Sequence, residues 1–149
     1  MNRHKGAIPV AAACLAVCAA CGTEPCRVVM TDVDRSRWDD TATVVYENSD
    51  TVSLYDMSVV LHVTPGFGMR QLTLDMEILS PDSMRMREQL TLATVDAGPA
   101  PASYGGDMEF PYRRRVRLHS QGSYTVNITP RMPVAGVESA GVAFQPVTQ

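Results

Sequence analysis

Cys21 is the residue whose surroundings point most directly to a chemical modification. It follows Ala20 and precedes Gly22, and small residues at these positions are typical of the site where a bacterial lipoprotein is cleaved and acylated. Cys18 is the alternative, but the residue before it, Val17, is bulky for a cleavage position. The pattern predicts cleavage after Ala20 and lipid on the sulfur and the new amino terminus of Cys21.

The segment before this cysteine has the composition of a secretory signal. Arg3 and Lys5 form a positive start, and residues 6–20 are mostly apolar and carry no charge. A spanning helix needs about 20 apolar residues, so this segment is too short to cross a membrane. The alternative to a lipoprotein is a cleaved, secreted protein without lipid. We predict a signal peptide over residues 1–20, a lipidated N-terminus and short tether over 21–26, and one domain over 27–149.

The cysteine count argues against a disulfide or a metal site. Cys14 and Cys18 leave with the signal peptide and Cys21 is acylated, which leaves Cys26 as the single free thiol. A zinc site needs paired cysteine or histidine ligands at close spacing, which the mature sequence lacks. We therefore expect no intramolecular disulfide, no metal and no cofactor.

The charge balance argues against nucleic acid as a partner. The chain has 13 basic and 16 acidic residues, and removal of Arg3 and Lys5 leaves 11 arginines against the same 16 acids, a net charge of −5. A mature chain of 129 residues has room for one domain with its own core. We expect a single acidic domain that does not bind nucleic acid.

Alternation of apolar and polar residues dominates the sequence after the tether. Leu72, Leu74, Met76 and Ile78 alternate with polar residues, as expected of a strand with one buried face. Turn residues separate the alternating segments at intervals of roughly 8 to 12 residues. The pattern predicts an all-β fold, a single antiparallel β-sandwich of about seven to eight strands. The other alternating sets are Val44 and Tyr46; Tyr55 to Val63; Met84, Met86, Leu90 and Leu92; Tyr112, Val116 and Leu118; Tyr124, Val126 and Ile128; and Val142 and Phe144.

Two features suggest contact with a partner. On a strand, Arg113, Arg115 and Arg117 line one face and Arg114 falls on the apolar face. This basic stripe suits an anionic group, but it also fits a solvated strand face that protects an edge. Tyr104 lies in the glycine- and proline-rich segment 96–107, which is either a surface loop or a binding loop.

The sequence lacks the residue patterns of common catalytic sites. Asp39 and Asp40 are adjacent, so they would point to opposite faces of a strand and would not act as an acid and base pair. His62 and His119 each have polar neighbours and are interpreted as surface histidines. We predict that the protein is not an enzyme.

The C-terminal third carries a resemblance to a known family. Residues 122–128, Met132 and residues 136–144 resemble the closing signature of the gliding-motility lipoprotein family GldH, which has a G-x-Y strand, a methionine-arginine pair and a G-[IV]-x-x-[VA]-G-[IVL] strand. Here Arg131 precedes Met132, the reverse of the family order. Other landmarks occur in the same order as in the family: the lipidation motif, Trp38, Pro81-Asp82 and Gly105-Gly106-Asp107.

The resemblance implies an outer-membrane lipoprotein of Bacteroidetes, without catalytic activity. It implies a scaffold or accessory role in the gliding-motility and type IX secretion machinery, with protein partners from that apparatus. Gly22, in place of the aspartate that marks inner-membrane retention, also favours the outer membrane. Thr41, Thr51 and Ser83 fit the D-[ST]-[AILMTV] O-glycosylation motif of that phylum. The alternative function is a surface glycan-binding or adhesion β-sandwich lipoprotein.

Replacement of the predicted lipid acceptor provides a direct test. We expect Cys21→Ala to abolish incorporation of labelled palmitate, because that substitution removes the acylated sulfur. Autoradiography of the protein purified from labelled cells measures the effect. Labelling that persists in Cys21→Ala would move the modification to Cys18.

Overall fold

The structure, a computed structural model, describes residues 25–94 and 104–147. These residues form eight β-strands and no α-helix, and so contain no helix that is long and apolar enough to cross a membrane. The predicted lipid acceptor Cys21 lies outside the described residues, and so do residues 96–103 of the glycine- and proline-rich segment. The strands are β1 (Arg27–Asp32), β2 (Ala42–Asn48), β3 (Leu54–Val63), β4 (Gln71–Leu79), β5 (Arg85–Ala93), β6 (Gly106–Arg117), β7 (Gly122–Pro130) and β8 (Val137–Pro146).

The strands pair into two four-stranded sheets, and every pairing is antiparallel. One sheet has the order β1-β8-β3-β6 and the other has the order β2-β7-β4-β5. Their inward side chains pack into one core, which confirms the predicted all-β sandwich. Edge strands β1 and β2 lie along one side of the sandwich, and edge strands β5 and β6 lie along the other.

The alternating residues fill the core as the sequence predicts. On β4, Leu72, Leu74 and Met76 are buried, while the residues between them are exposed or half-buried. Outside the strands, Trp38 is fully buried, and its indole Nε1 donates a hydrogen bond of 2.9 Å to the Asp40 carbonyl oxygen. Burial of these faces excludes water from the space between the sheets and supplies the main favourable term in folding.

The alternation predicts β5 incompletely. The strand begins at Arg85, so Met84 lies in the preceding turn and is exposed, contrary to its expected place on the buried face. Glu88 occupies a position of the alternating, inward-facing set of β5, and its carboxylate contacts Tyr112 and Arg113 of β6. The inward face of β5 therefore carries a charge in the middle of an otherwise apolar set.

The first strand was not predicted from alternation. Arg27 to Asp32 pair with β8 in register from Phe144 to Ser139, but the strand has no clear buried face. Its backbone passes close to β8 at Gly141, where an added Cβ atom would lie 2.0 Å from the Val29 carbonyl oxygen. Glycine at this position therefore permits the pairing of β1 with β8.

The two ends of the sandwich differ in what they carry. The end at which β1 begins, here called the tether end, also holds the loop 49–53, the turn 80–84 and the turn 118–121. Asn48 closes this end by donating hydrogen bonds from its side-chain amide to the carbonyl oxygens of Leu118 and Ser120. The opposite end, here called the far end, holds Tyr104, the turn 64–70 and residues 131–136.

The close approach at Gly141 predicts that an added methyl group destabilises the domain at this glycine but not at the open position Gly68. We expect Gly141→Ala to lower the free energy of unfolding by about 3 kcal/mol, because its Cβ atom meets backbone atoms that cannot rotate away. Urea unfolding followed by circular dichroism measures the change. In the matched control Gly68→Ala, the Cβ atom meets nothing within 4 Å, so we expect a change within about 0.5 kcal/mol. Equal losses in both variants would refute the packing argument.

Candidate functional site

The side of the sandwich between β5 and β6 is held together by a contact that we call the clasp, formed by Glu88, Tyr112 and Arg113. The Tyr112 hydroxyl donates a short hydrogen bond to Glu88, and Arg113 Nη2 lies 2.7 Å from the same carboxylate oxygen. The Arg113 guanidinium also lies 5.4 Å from the centre of the Tyr112 ring. The clasp joins the edge strand of one sheet to the edge strand of the other.

The clasp changes the acidity of its members. Burial, followed by the hydrogen bond to Glu88, raises the pKa of the Tyr112 hydroxyl from 10.0 to about 12. The Tyr112 hydroxyl, followed by the Arg113 guanidinium, lowers the pKa of Glu88. Glu88 is therefore ionised and Tyr112 is neutral at neutral pH.

On the tether-end side of the clasp, an apolar cavity opens between the two sheets. We call it the cleft, and its volume is about 250 Å³. Met57, Ile78 and Phe144 line its apolar interior, and Met84 and Met86 lie at its opening. Methionine side chains are unbranched and flexible, so they adapt to ligands of different shape. The cleft can accept an apolar group without displacing the core.

Charged side chains surround the cleft, and most of them are basic. Arg85 Nε lies 3.4 Å from Glu77 Oε1, but Arg87 Nε contacts that same oxygen more closely, at 2.6 Å. Within the described residues, Arg117 makes no ion pair. Asp82 is the acidic residue that lines the cleft, and the Ser80 hydroxyl that donates to it lowers its pKa. A free guanidinium beside an apolar cavity suits an amphiphile with a negative group.

The predicted arginine stripe does not form, because β6 is irregular. Tyr55 pairs with Val116 and Ser58 pairs with Pro111, so β6 contains two more residues than β3 over this stretch. Arg115 has a positive φ of 54°, and its backbone N–H donates a 2.8 Å hydrogen bond to Asp56. The extra residues break the strict alternation on which the stripe depends.

The three arginines of the expected stripe therefore have different surroundings. Arg113 belongs to the clasp and lines the cleft, Arg115 projects from the irregular part of β6, and Arg117 lines the cleft without an ion pair among the described residues. Arg114, which strict alternation places on the apolar face, is exposed. Sequence reasoning missed the cleft because its lining comes from both sheets.

The other predicted site residues lie at the surface or near it. Tyr104 is 86% exposed at the far end, directly before β6. Thr41 precedes β2 and shares a 2.8 Å hydrogen bond with the Thr129 hydroxyl. Thr51 is half-buried in the loop 49–53, and Ser83 is exposed in the turn 80–84 with a φ of 67°. The structure does not bring these four residues together.

A second, shallower depression lies on the outer face of the sheet β2-β7-β4-β5. Its volume is about 440 Å³, and Asp75, Glu77, Arg87 and Asn127 are among the residues that line it. These groups can form hydrogen bonds with a sugar, but none of the lining residues is aromatic. The predicted glycan-binding alternative stays a prediction.

Cys26 is the cysteine within the described residues, and its thiol is free and exposed. His62 Nδ1 lies 2.6 Å from Asp107 Oδ1, and His62 Nε2 lies 3.7 Å from Glu138 Oε2. Within residues 25–94 and 104–147, no three histidine, cysteine or acidic side chains are placed so that they could hold a metal ion.

The chain matches no family model and no curated protein.

The raised pKa of Tyr112 makes the clasp sensitive to high pH. The stabilisation that comes from keeping this hydroxyl protonated is complete below pH 10 and is lost as the pH rises towards 12. We expect Tyr112→Phe to lower the free energy of unfolding by about 1 kcal/mol at neutral pH, through loss of one hydrogen bond. We also expect a smaller further decrease in the variant than in the original chain between pH 10 and 12. Urea unfolding across this range provides the measurement, and parallel curves would contradict the proposed clasp.

Proposed function

We propose that this chain is a non-enzymatic lipoprotein of the bacterial outer membrane. In this proposal it is an accessory scaffold of the gliding-motility and type IX secretion machinery, as its resemblance to the GldH family implies. The lipid on Cys21 holds the β-sandwich at the membrane, and the sandwich binds proteins of that machinery. Its role is to position partners rather than to transform a substrate.

The observation that carries the proposal is the place where the chain enters the sandwich. The first strand begins at Arg27, six residues after the predicted lipid acceptor Cys21. Six residues span at most about 20 Å when fully extended. A lipid on Cys21 therefore keeps the tether end close to the bilayer and leaves the far end accessible to proteins.

The far end carries exposed apolar side chains that suit a protein partner. Tyr104 is 86% exposed, and Met132 is 56% exposed after the end of β7. Aromatic and methionine side chains are enriched in protein interfaces, where they act as anchors. The interpretation of Tyr104 as a partner-binding residue is therefore part of the proposal.

Loss of these anchors should weaken partner binding. We expect the double variant Tyr104→Ala, Met132→Asp to reduce recovery of secretion or motility components by at least about tenfold in gentle co-purification from the native host. Quantitative mass spectrometry of the purified material provides the measurement. The matched control is Val45→Asp, which alters an exposed apolar residue of β2 away from both ends. Recovery of no such components with the original chain would oppose the scaffold role.

Deletion in the native host tests the same proposal at the level of the cell. Secretion of type IX substrates and spreading on a surface are scored together in the deletion strain and in a strain complemented with the original chain. A defect in either one supports an accessory role in this machinery. Normal secretion together with normal spreading would contradict it.

A further inference from the structure

The tether end exposes apolar side chains in two of its loops. Val52 in the loop 49–53 is 73% exposed, and Met84 in the turn 80–84 is 70% exposed. The cleft opens at this same end. A concave, mostly apolar cavity with a few polar side chains at its opening is the usual form of a binding site for a small ligand.

The position of the chain outside the structure indicates what covers this end. Residues 1–24 precede the described region, and the chain enters β1 at the tether end. If Cys21 is lipidated, as in the proposed function on which this inference rests, the start of β1 lies within about 20 Å of the bilayer, and the cleft opens at the same end of the sandwich. A tether of this length keeps the end that carries the cleft close to membrane lipids.

The charges around the cleft specify the kind of lipid. Arg117 has no ion pair within the described residues, and Arg85 shares Glu77 with the closer Arg87. His119 also lines the cleft, and Asp82 opposes these basic groups. The basic side chains outnumber the acidic one, so a headgroup with a net negative charge fits this surface better than a zwitterionic headgroup.

The neighbouring edge strands are poorly suited to a polypeptide that binds by strand addition. On β6, Pro111 lacks a backbone N–H, and the irregularity at Arg115 bends the edge. On β5, the inward Glu88 places a charge on the face that an added strand would extend. These features favour a lipid over an extended peptide as the occupant.

We propose that the cleft binds an anionic phospholipid of the membrane to which the chain is tethered. One acyl chain enters the cleft between Met84 and Met86 and reaches towards Phe144. The phosphate stays at the opening, where Arg117 and Arg85 bind it. Val52 and Met84 rest in the interfacial layer of the bilayer. The lipid anchor sets the distance of the domain from the membrane, and the cleft sets its orientation.

Photo-crosslinking in liposomes tests this assignment with the lipidated mature chain. The probe is phosphatidylglycerol with a diazirine on its acyl chain, in phosphatidylcholine vesicles. After irradiation, peptide mapping by mass spectrometry locates the attached lipid. We expect label on peptides that contain Met84, Met86 or Val116, and much less label when the diazirine is carried by phosphatidylcholine.

Two matched charge reversals separate a specific site from general attraction to an anionic surface. We expect Arg117→Glu to reduce labelling of the cleft at least about fivefold, the effect of one basic side chain near an anionic surface. Arg70→Glu reverses an exposed arginine at the far end and should leave labelling unchanged. Met84→Asp, at an exposed turn position, should also reduce it. Circular dichroism establishes that each variant is folded.

Several results would overturn the proposal. The cleft peptides could carry no label, or the label could be centred on the far end. Phosphatidylglycerol and phosphatidylcholine could label the cleft equally. Arg117→Glu and Arg70→Glu could reduce the labelling to the same extent. The acyl chains attached to Cys21 carry no diazirine. If one of these chains filled the cleft in place of a phospholipid, the cleft peptides would carry no label, and this result would also overturn the proposal. Crosslinks from cleft peptides to an envelope protein in intact cells, with none to lipid, would identify a polypeptide occupant. The liposome assay contains no partner protein, so its failure leaves the scaffold role standing.

Discussion

The packing of Phe144 between the two sheets is the contact on which the rest of the structure depends. Its ring stacks on Tyr46 of the opposite sheet with centroids 4.0 Å apart, and it meets the edge of Tyr55 at 6.5 Å. The same ring lines the cleft, and its residue pairs with Arg27 at the start of β1. One residue thus links the core and the candidate binding cavity through its side chain, and the strand through which the chain enters the domain through its backbone.

The sequence was sufficient to predict the fold because the signal is local. Leu72, Leu74 and Met76 alternate with polar residues within a short segment, and in the structure these three side chains are buried on one face of β4. The short strand β1 gave no such signal, since its pairing with β8 rather than a buried face defines it. Strand pairing between distant segments cannot be read from the period of one segment.

The candidate site was harder to predict because it depends on register and on both sheets. Arg113 and Arg117 both line the cleft, but Arg113 also belongs to the clasp, and Arg115 between them projects from the irregular part of β6. Glu88 lies on a different strand, in the other sheet, and nothing in the local sequence marks it as the partner of Tyr112. Only the folded arrangement shows that these residues share one opening.

The direction of β1 also has a mechanical consequence. If the chain is a tethered scaffold as proposed, a load between its membrane anchor and a partner at the far end pulls Arg27 along the axis of its strand. The hydrogen bonds to β8 are perpendicular to that axis, and the paired region runs from Arg27 to Asp32. Such a load shears all of these bonds together instead of opening them one after another. The attachment of β1 therefore resists the kind of force that a tethered scaffold transmits.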